Sequence, residues 1–274
     1  MQKLVDGEEF SISAKDKICY VILNSKSTKN AISFRMAKIM QDICYTEAGN
    51  SSLFEKFITN QGCNLIILKS EITGIFSSGG NLIELANSTP ESAHLYTSAI
   101  KAFCSLLHST SAISIALLTG PSFGGGAELA LATDFRWGIG NSFELHFSQA
   151  KFAIPTGWGG MLRLSELCPQ LNQRKIAALL LTKSCLSNKQ LLQLGLVDQE
   201  FKTLKSCQKQ IELWQEQMND CPKYLKEGLF QRQNIYSYDK LDEFDMTFFN
   251  KYFLQDEHLQ RIQLFLKRKI KNEK

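Results

Sequence analysis

A chain of 274 residues, 44% hydrophobic and 21% charged, is long enough to bury roughly 70% of its unfolded surface in one core with a helical annex. That composition excludes an acidic disordered chain, a collagen and a transmembrane bundle. The 31 Lys and Arg against 27 Asp and Glu leave only +4, spread along the chain, so no nucleic acid is expected as partner.

No membrane partner is expected either, because the longest apolar runs, at 115–118 and 176–181, fall far short of the ~20 residues that cross a bilayer. The opening MQKLVDGEEF is acidic and no apolar stretch follows it, and the eight cysteines form no CxxC pair. They read as small buried hydrophobes in a reducing compartment, and the expected location is cytoplasmic.

In chain order, Ile18 to Leu23 alternates β-rich residues and is apolar on both sides, which predicts a covered strand. Ser33 caps a predicted helix through about Ala48, with Phe34, Ala37, Met40, Ile43 and Cys44 on its apolar side. Residues 63–70 and 111–120 predict two more strands, separated by a helix from Pro90 to Leu107. The strand starts near 18, 64 and 113 recur at roughly 50-residue intervals, which suits either a coil of strand-turn-helix units or a doubly wound sheet. From 170 onward the pattern is mainly helical, in 173–181, 188–196, 208–218 and 256–266, and the basic end KRKIKNEK reads as a solvated helix terminus.

Two glycine turns carry the chemistry. Ser77-Ser78-Gly79-Gly80-Asn81-Leu82 follows the second strand, where successive N–H groups can face one point and Asn81 can cap a helix. Gly124-Gly125-Gly126 runs into Ala127-Glu128-Leu129, the pattern of a helix N-terminus whose backbone approaches a ligand. No Gly-Lys-Ser/Thr and no GxGxxG follows, so phosphate transfer and NAD binding recede. Glu128 lies three residues after Gly125, so an amide and a carboxylate can address the same small ligand. In SFELHFS, Phe143, Leu145 and Phe147 alternate with Ser142, Glu144, His146 and Ser148, which puts Glu144 and His146 on one polar face. The histidines and cysteines show no metal-ligand spacing, so no metal site is expected. Trp158 is expected to pack its loop on the core or to line a pocket, and Arg163 to form a salt bridge.

These segments resemble the enoyl-CoA hydratase/isomerase, or crotonase-like, superfamily. The matching stretches are Asn30-Ala31-Ile32, FSSGGNL at 76–82, GPSFGGGAELALATDFR at 120–136, the IPTGWGG-x-x-RL segment at 154–164 and QRIQLFLKRK at 260–269. The resemblance implies an α/β fold, a crotonase-like ββα spiral over 1–197 with a helical region over 198–274 that joins homotrimers or dimers of trimers. It also implies an acyl-CoA thioester as ligand, with no cofactor beyond the CoA moiety.

By the same resemblance the Ser78 and Gly125 N–H groups hold the thioester oxygen, and Ser77, Ser78, Asn81, Leu82, Gly124 and Gly125 form the binding segment. Each oriented amide is worth ~3–4 kcal/mol to an enolate. Glu128 matches one of the two glutamates that hydratases use. Ser148 stands at or near the second, with Glu144 four residues away, and a serine cannot supply the acid. Hydration is therefore disfavoured against isomerisation, with Glu128 as base, or decarboxylation of a malonyl-type ester. The motifs are similar to the ethylmalonyl/methylmalonyl-CoA decarboxylase branch, which points to His146 as a further catalytic residue. A true hydratase and a non-catalytic acyl-CoA-binding subunit are the alternatives.

Overall fold

Ile18–Leu23 is the strand at which the main sheet changes from antiparallel to parallel. In a computed structural model that describes residues 1–44, 51–182, 185–218, 226, 246–247, 249–250 and 253–272, the chain opens with β1 (Gln2–Asp6) and β2 (Phe10–Lys15). Asp16 and Lys17, at φ 51° and 58°, form the two-residue turn that leads β2 antiparallel into β3 (Ile18–Leu23). Thereafter β5 (Leu65–Ser70), β7 (Ile113–Leu118), β9 (Phe135–Ile139) and β12 (Gln199–Phe201) add in parallel, in the order β1-β2-β3-β5-β7-β9-β12. Parallel strands need crossovers, and these are helical. The first three are α1 (Phe34–Cys44) with α2 (Leu53–Asn60), α3 (Leu82–Ala86) with α4 (Pro90–Ser109), and the short α5 (Gly125–Leu131).

Both faces of this sheet are covered, which explains strands that are apolar on both sides. Ile66, Leu68, Ala116 and Leu118 face the large core beneath α1 and α4. Their alternates Leu65, Ile67, Ile115 and Leu117 join Trp137 beneath Cys207 and Ile211 of α9 (Leu204–Met218). Each of the leucines and isoleucines among them contributes about 1.5–3 kcal/mol by burial. The helix starts follow the chemistry in the sequence. Ser33 Oγ accepts from Met36 N at 3.1 Å, and Thr89 and Ser92 close a capping box around Pro90.

Short strands stack beside the main sheet and make the second edge of the spiral. β4 (Ala31–Ile32) pairs with β6 (Gly79–Gly80), and β8 (Ser122–Phe123) pairs with β10 (Leu145–His146), which pairs with β11 (Cys185–Leu186). The chain continues through α6 (Gly160–Leu167), α7 (Gln173–Leu181), α8 (Asn188–Leu194) and α10 (Asp256–Asn272). This is the expected α/β spiral with C-terminal helices. Two points differ. The hairpin of β1 and β2 was not anticipated, and neither were β11 and β12, which fall between the helices expected after residue 170; β12 is held by its parallel pairing with β9. The expected end of the first helix at 45–48 lies outside the described residues.

One buried ion pair ties residue 226 to the sheet. Lys226 Nζ donates to Asp134 Oδ2 at 2.7 Å and to the Ala112 carbonyl at 2.8 Å, and the same carboxylate oxygen accepts from Ser114 N and Oγ. Burial pushes Asp134 up and Lys226 down, each opposed by its partner. Removing the carboxylate takes this counter-ion from a buried ammonium, so Asp134→Ala is expected to cost about 3–5 kcal/mol in urea unfolding. A loss below about 1 kcal/mol would show that the pair does not hold this junction.

Candidate active site

The two glycine turns meet through bare backbone. A side-chain carbon at Gly79 would lie 3.2 Å from the Gly125 nitrogen and 2.5 Å from the Phe123 carbonyl oxygen, so only glycine permits this approach. Phe123 N donates to Ser77 O at 2.9 Å and Gly124 N to His146 O at 2.8 Å, which fixes the second turn. Gly125 opens α5, and N–H groups of a helix's first turn have no partner within the helix.

The first turn presents a different amide from the one expected. Ser78 N donates to Lys29 O at 3.0 Å and is thereby committed to the scaffold. Asn81 N donates to Ile32 O at 3.1 Å, and with Ile32 opposite Gly80 the parallel ladder turns the Gly80 N–H away from β4. Gly80 lines the cavity beside Gly125. Ser78, Leu82, Gly124 and Gly125 also line it, whereas Ser77 and Asn81 do not. Ser77 Oγ donates to Asn30 O at 2.7 Å, and Asn81 caps α3 through Glu84 N and donates to the Glu84 carboxylate.

Glu128 is 2% exposed, and both its oxygens are doubly occupied. Oε1 accepts from Gln149 Nε2 at 2.8 Å and Gly157 N at 3.3 Å; Oε2 accepts from Trp158 N at 2.7 Å and Gly160 N at 2.9 Å. Burial raises its pKa, and these four hydrogen bonds pull the other way. The carboxylate fits because Gly160 is bare; a side-chain carbon there would stand 2.7 Å from Glu128 Cγ. The same loop sets Trp158 over Gly125, where a side-chain carbon would meet its ring at 2.4 Å. Trp158 therefore does both things expected of it, packing its loop and lining the cavity. Arg163 does not form the expected salt bridge among the described residues; its buried guanidinium donates to the Trp158 carbonyl and braces the loop.

Residues that sequence reasoning missed complete the wall. Tyr96, Phe152 and Ile154 line it together with Phe249, Phe253 and His258 from the C-terminal region. Thr97 Oγ1 and Gln149 Oε1 are buried in residues of this wall without hydrogen-bond partners among the described residues. His258 Nδ1 accepts from Leu254 N at 2.8 Å, which leaves the ring proton on Nε2, and burial lowers its pKa to about 4. Ser148 also lines the cavity.

Glu144 and His146 do not line the cavity. They share the predicted polar face, His146 Nε2 lying 2.8 Å from Glu144 Oε2, but the face turns toward Cys185 on β11, with Phe123 stacked on the imidazole at 4.3 Å. The ligand atoms of these three residues lie within 4.8 Å of one another, a convergence that the sequence spacing does not reveal. Of the other cysteines, Cys19, Cys63, Cys104, Cys168 and Cys207 are buried as expected and Cys44 is half-buried; Cys221 lies outside the described residues.

A family model described as enoyl-CoA hydratase/isomerase matches residues 13–272. Among curated proteins, a probable mitochondrial enoyl-CoA hydratase 2 of Arabidopsis thaliana is 31% identical over 150 residues, 55% of this chain and 46% of its own. The mitochondrial methylglutaconyl-CoA hydratase of Homo sapiens is 30% identical over 142 residues, 52% of this chain and 39% of its own. An ethylmalonyl-CoA decarboxylase of Xenopus tropicalis is 29% identical over 194 residues, 70% of this chain and 60% of its own. The chain thus spans less than half the length of the first two and under two thirds of the third. Among solved structures, an enoyl-CoA hydratase from Bacillus halodurans superposes with a TM-score of 0.79 at 17% identity, covering 93% of this chain and 99% of that one, and shows the same fold. No helix among the described residues is long and apolar enough to cross a membrane. The match over nearly the whole chain and the shared spiral lead to one conclusion: the chain belongs to the enoyl-CoA hydratase/isomerase family.

Proposed function

We propose that the cavity binds an acyl-CoA thioester, holds its enolate oxygen between the Gly80 and Gly125 N–H groups, and releases CO2 from a malonyl-type ester. The observation that carries the choice of reaction is the full occupancy of Glu128. A carboxylate has about four acceptor sites, and all four are used, so Glu128 can take a proton from carbon only by giving up a donor. Decarboxylation asks for no such base. The bond from the α-carbon to the carboxylate breaks, its electron pair enters the thioester as an enolate, CO2 departs, and a proton from water returns to the α-carbon. What the protein must supply is a pair of amides oriented before the charge develops, each worth ~3–4 kcal/mol.

The ethylmalonyl-CoA decarboxylase among the relatives supports this reading, as does the wall itself, which among its described residues holds Glu128 as its carboxylate. Water addition uses two acids, and by the family resemblance Ser148 stands at or near the position of the second. Isomerisation is the second reading, and it rests on the 3.3 Å bond from Gly157 N, the longest of the four, which marks Oε1 as the oxygen more readily freed. Neither reading needs a cofactor beyond CoA.

Incubating the protein with methylmalonyl- or ethylmalonyl-CoA, a 3-enoyl-CoA and a trans-2-enoyl-CoA, and weighing the products, separates the reactions. Loss of CO2 is expected; efficient hydration of the 2-enoyl ester would overturn the proposal. A separate expectation concerns the clamp. Glu128→Gln puts an NH2 group against N–H donors, so stability in urea is expected to fall by about 1–3 kcal/mol. Unchanged stability would mean that the carboxylate does not hold the 157–160 loop.

A further inference from the structure

Outside the cavity, Glu144, His146 and Cys185 present three ligand atoms of different chemistry to one point. Backbone pairing brings them there. The antiparallel register of β10 and β11 sets His146 opposite Cys185, and Glu144 is two residues before His146 on the same face. Phe123 stacks on the imidazole at 4.3 Å and restricts its rotation.

A hydrolytic Cys-His-Glu relay would use the two ring nitrogens separately, one for the thiol and one for the carboxylate. Here a single nitrogen, Nε2, faces both groups, 2.8 Å from Glu144 Oε2 and 3.5 Å from Cys185 Sγ. Convergence of all three donors on one side is the arrangement of ligands around an ion. Around a tetrahedral Zn²⁺ the N···S edge is about 3.6 Å and the N···O edge about 3.3 Å. The first matches as it stands, and the second requires the carboxylate to withdraw by about half an ångström. Glu144 is free to do so, with its side chain 40% exposed.

We propose that Glu144, His146 and Cys185 form a binding site for a borderline-soft divalent cation of the Zn²⁺ type, with water as the fourth ligand. Imidazole, thiolate and carboxylate together select such an ion over Mg²⁺ or Ca²⁺, which favour all-oxygen sites. The ion clips β11 to β10. Since the His146 carbonyl accepts from Gly124 N at 2.8 Å, the clip also braces the turn that carries Gly125.

The test uses the full, untagged, reduced chain with Co²⁺ as the probe. One Co²⁺ per chain is expected, with intense visible bands of tetrahedral geometry and a near-ultraviolet thiolate charge-transfer band, all displaced by Zn²⁺. Cys185→Ser is expected to abolish the charge-transfer band and weaken binding at least tenfold, and Glu144→Gln to weaken it about tenfold while keeping the band. Cys185 is exposed, so its variant should melt with the wild type in metal-free buffer, whereas Zn²⁺ should raise the melting temperature of the wild type alone. Absence of stoichiometric binding, or a charge-transfer band that survives Cys185→Ser, would overturn the site.

Discussion

The carboxylate of Glu128 is the joint on which this part of the fold depends. It projects from the first turn of α5 and receives Gln149, Gly157, Trp158 and Gly160 in four hydrogen bonds, so one side chain organises three separate segments. Desolvating an ionised carboxylate is costly, and the burial-driven rise in its pKa records that cost. Four donors aimed at two oxygens offset it. The glycines around the joint follow from this arrangement, because Gly160 must be bare to admit the carboxylate and Gly125 must be bare to admit the Trp158 ring.

Under the proposed reading, the same joint determines what chemistry is open to the site. A group so fully bonded serves better as a frame than as a base. The reactive work then falls to backbone amides, which hold fixed positions and need no protonation change. The cavity wall over them is largely aromatic and aliphatic, with Thr97 Oγ1 and Gln149 Oε1 as isolated polar points. Phe249, Phe253 and His258 complete that wall, so the C-terminal region belongs to the site as well as to the fold.

Much of the scaffold could be read from the sequence because its signals are local. Apolar runs on both faces identified β3, β5 and β7, and Ser33 and Pro90 mark helix starts that the structure keeps. The two glycine turns and Glu128 stood out for the same reason. Long-range pairing was less accessible. Whether Ser78 or Gly80 offers its N–H depends on the register of β4 against β6, and a shift of two residues in a tight turn changes the answer. Alternation placed Glu144 and His146 on one face, but only the pairing of β10 with β11 shows that this face meets Cys185, 39 residues away. Gln149 carries no signal at all, being one amide in a short 3-10 turn, and its role appears only when Glu128 comes to rest against it.

The most direct measurement of the central claim is a structure of the protein with a non-hydrolysable acyl-CoA thioether or ketone analogue that retains a carbonyl-like oxygen. The account predicts that oxygen within hydrogen-bond distance of both Gly80 N and Gly125 N, with Glu128 still bonded to the 157–160 loop. An oxygen held instead by Ser78 N, or a Glu128 released from Trp158 N and Gly160 N and turned onto the α-carbon, would contradict it.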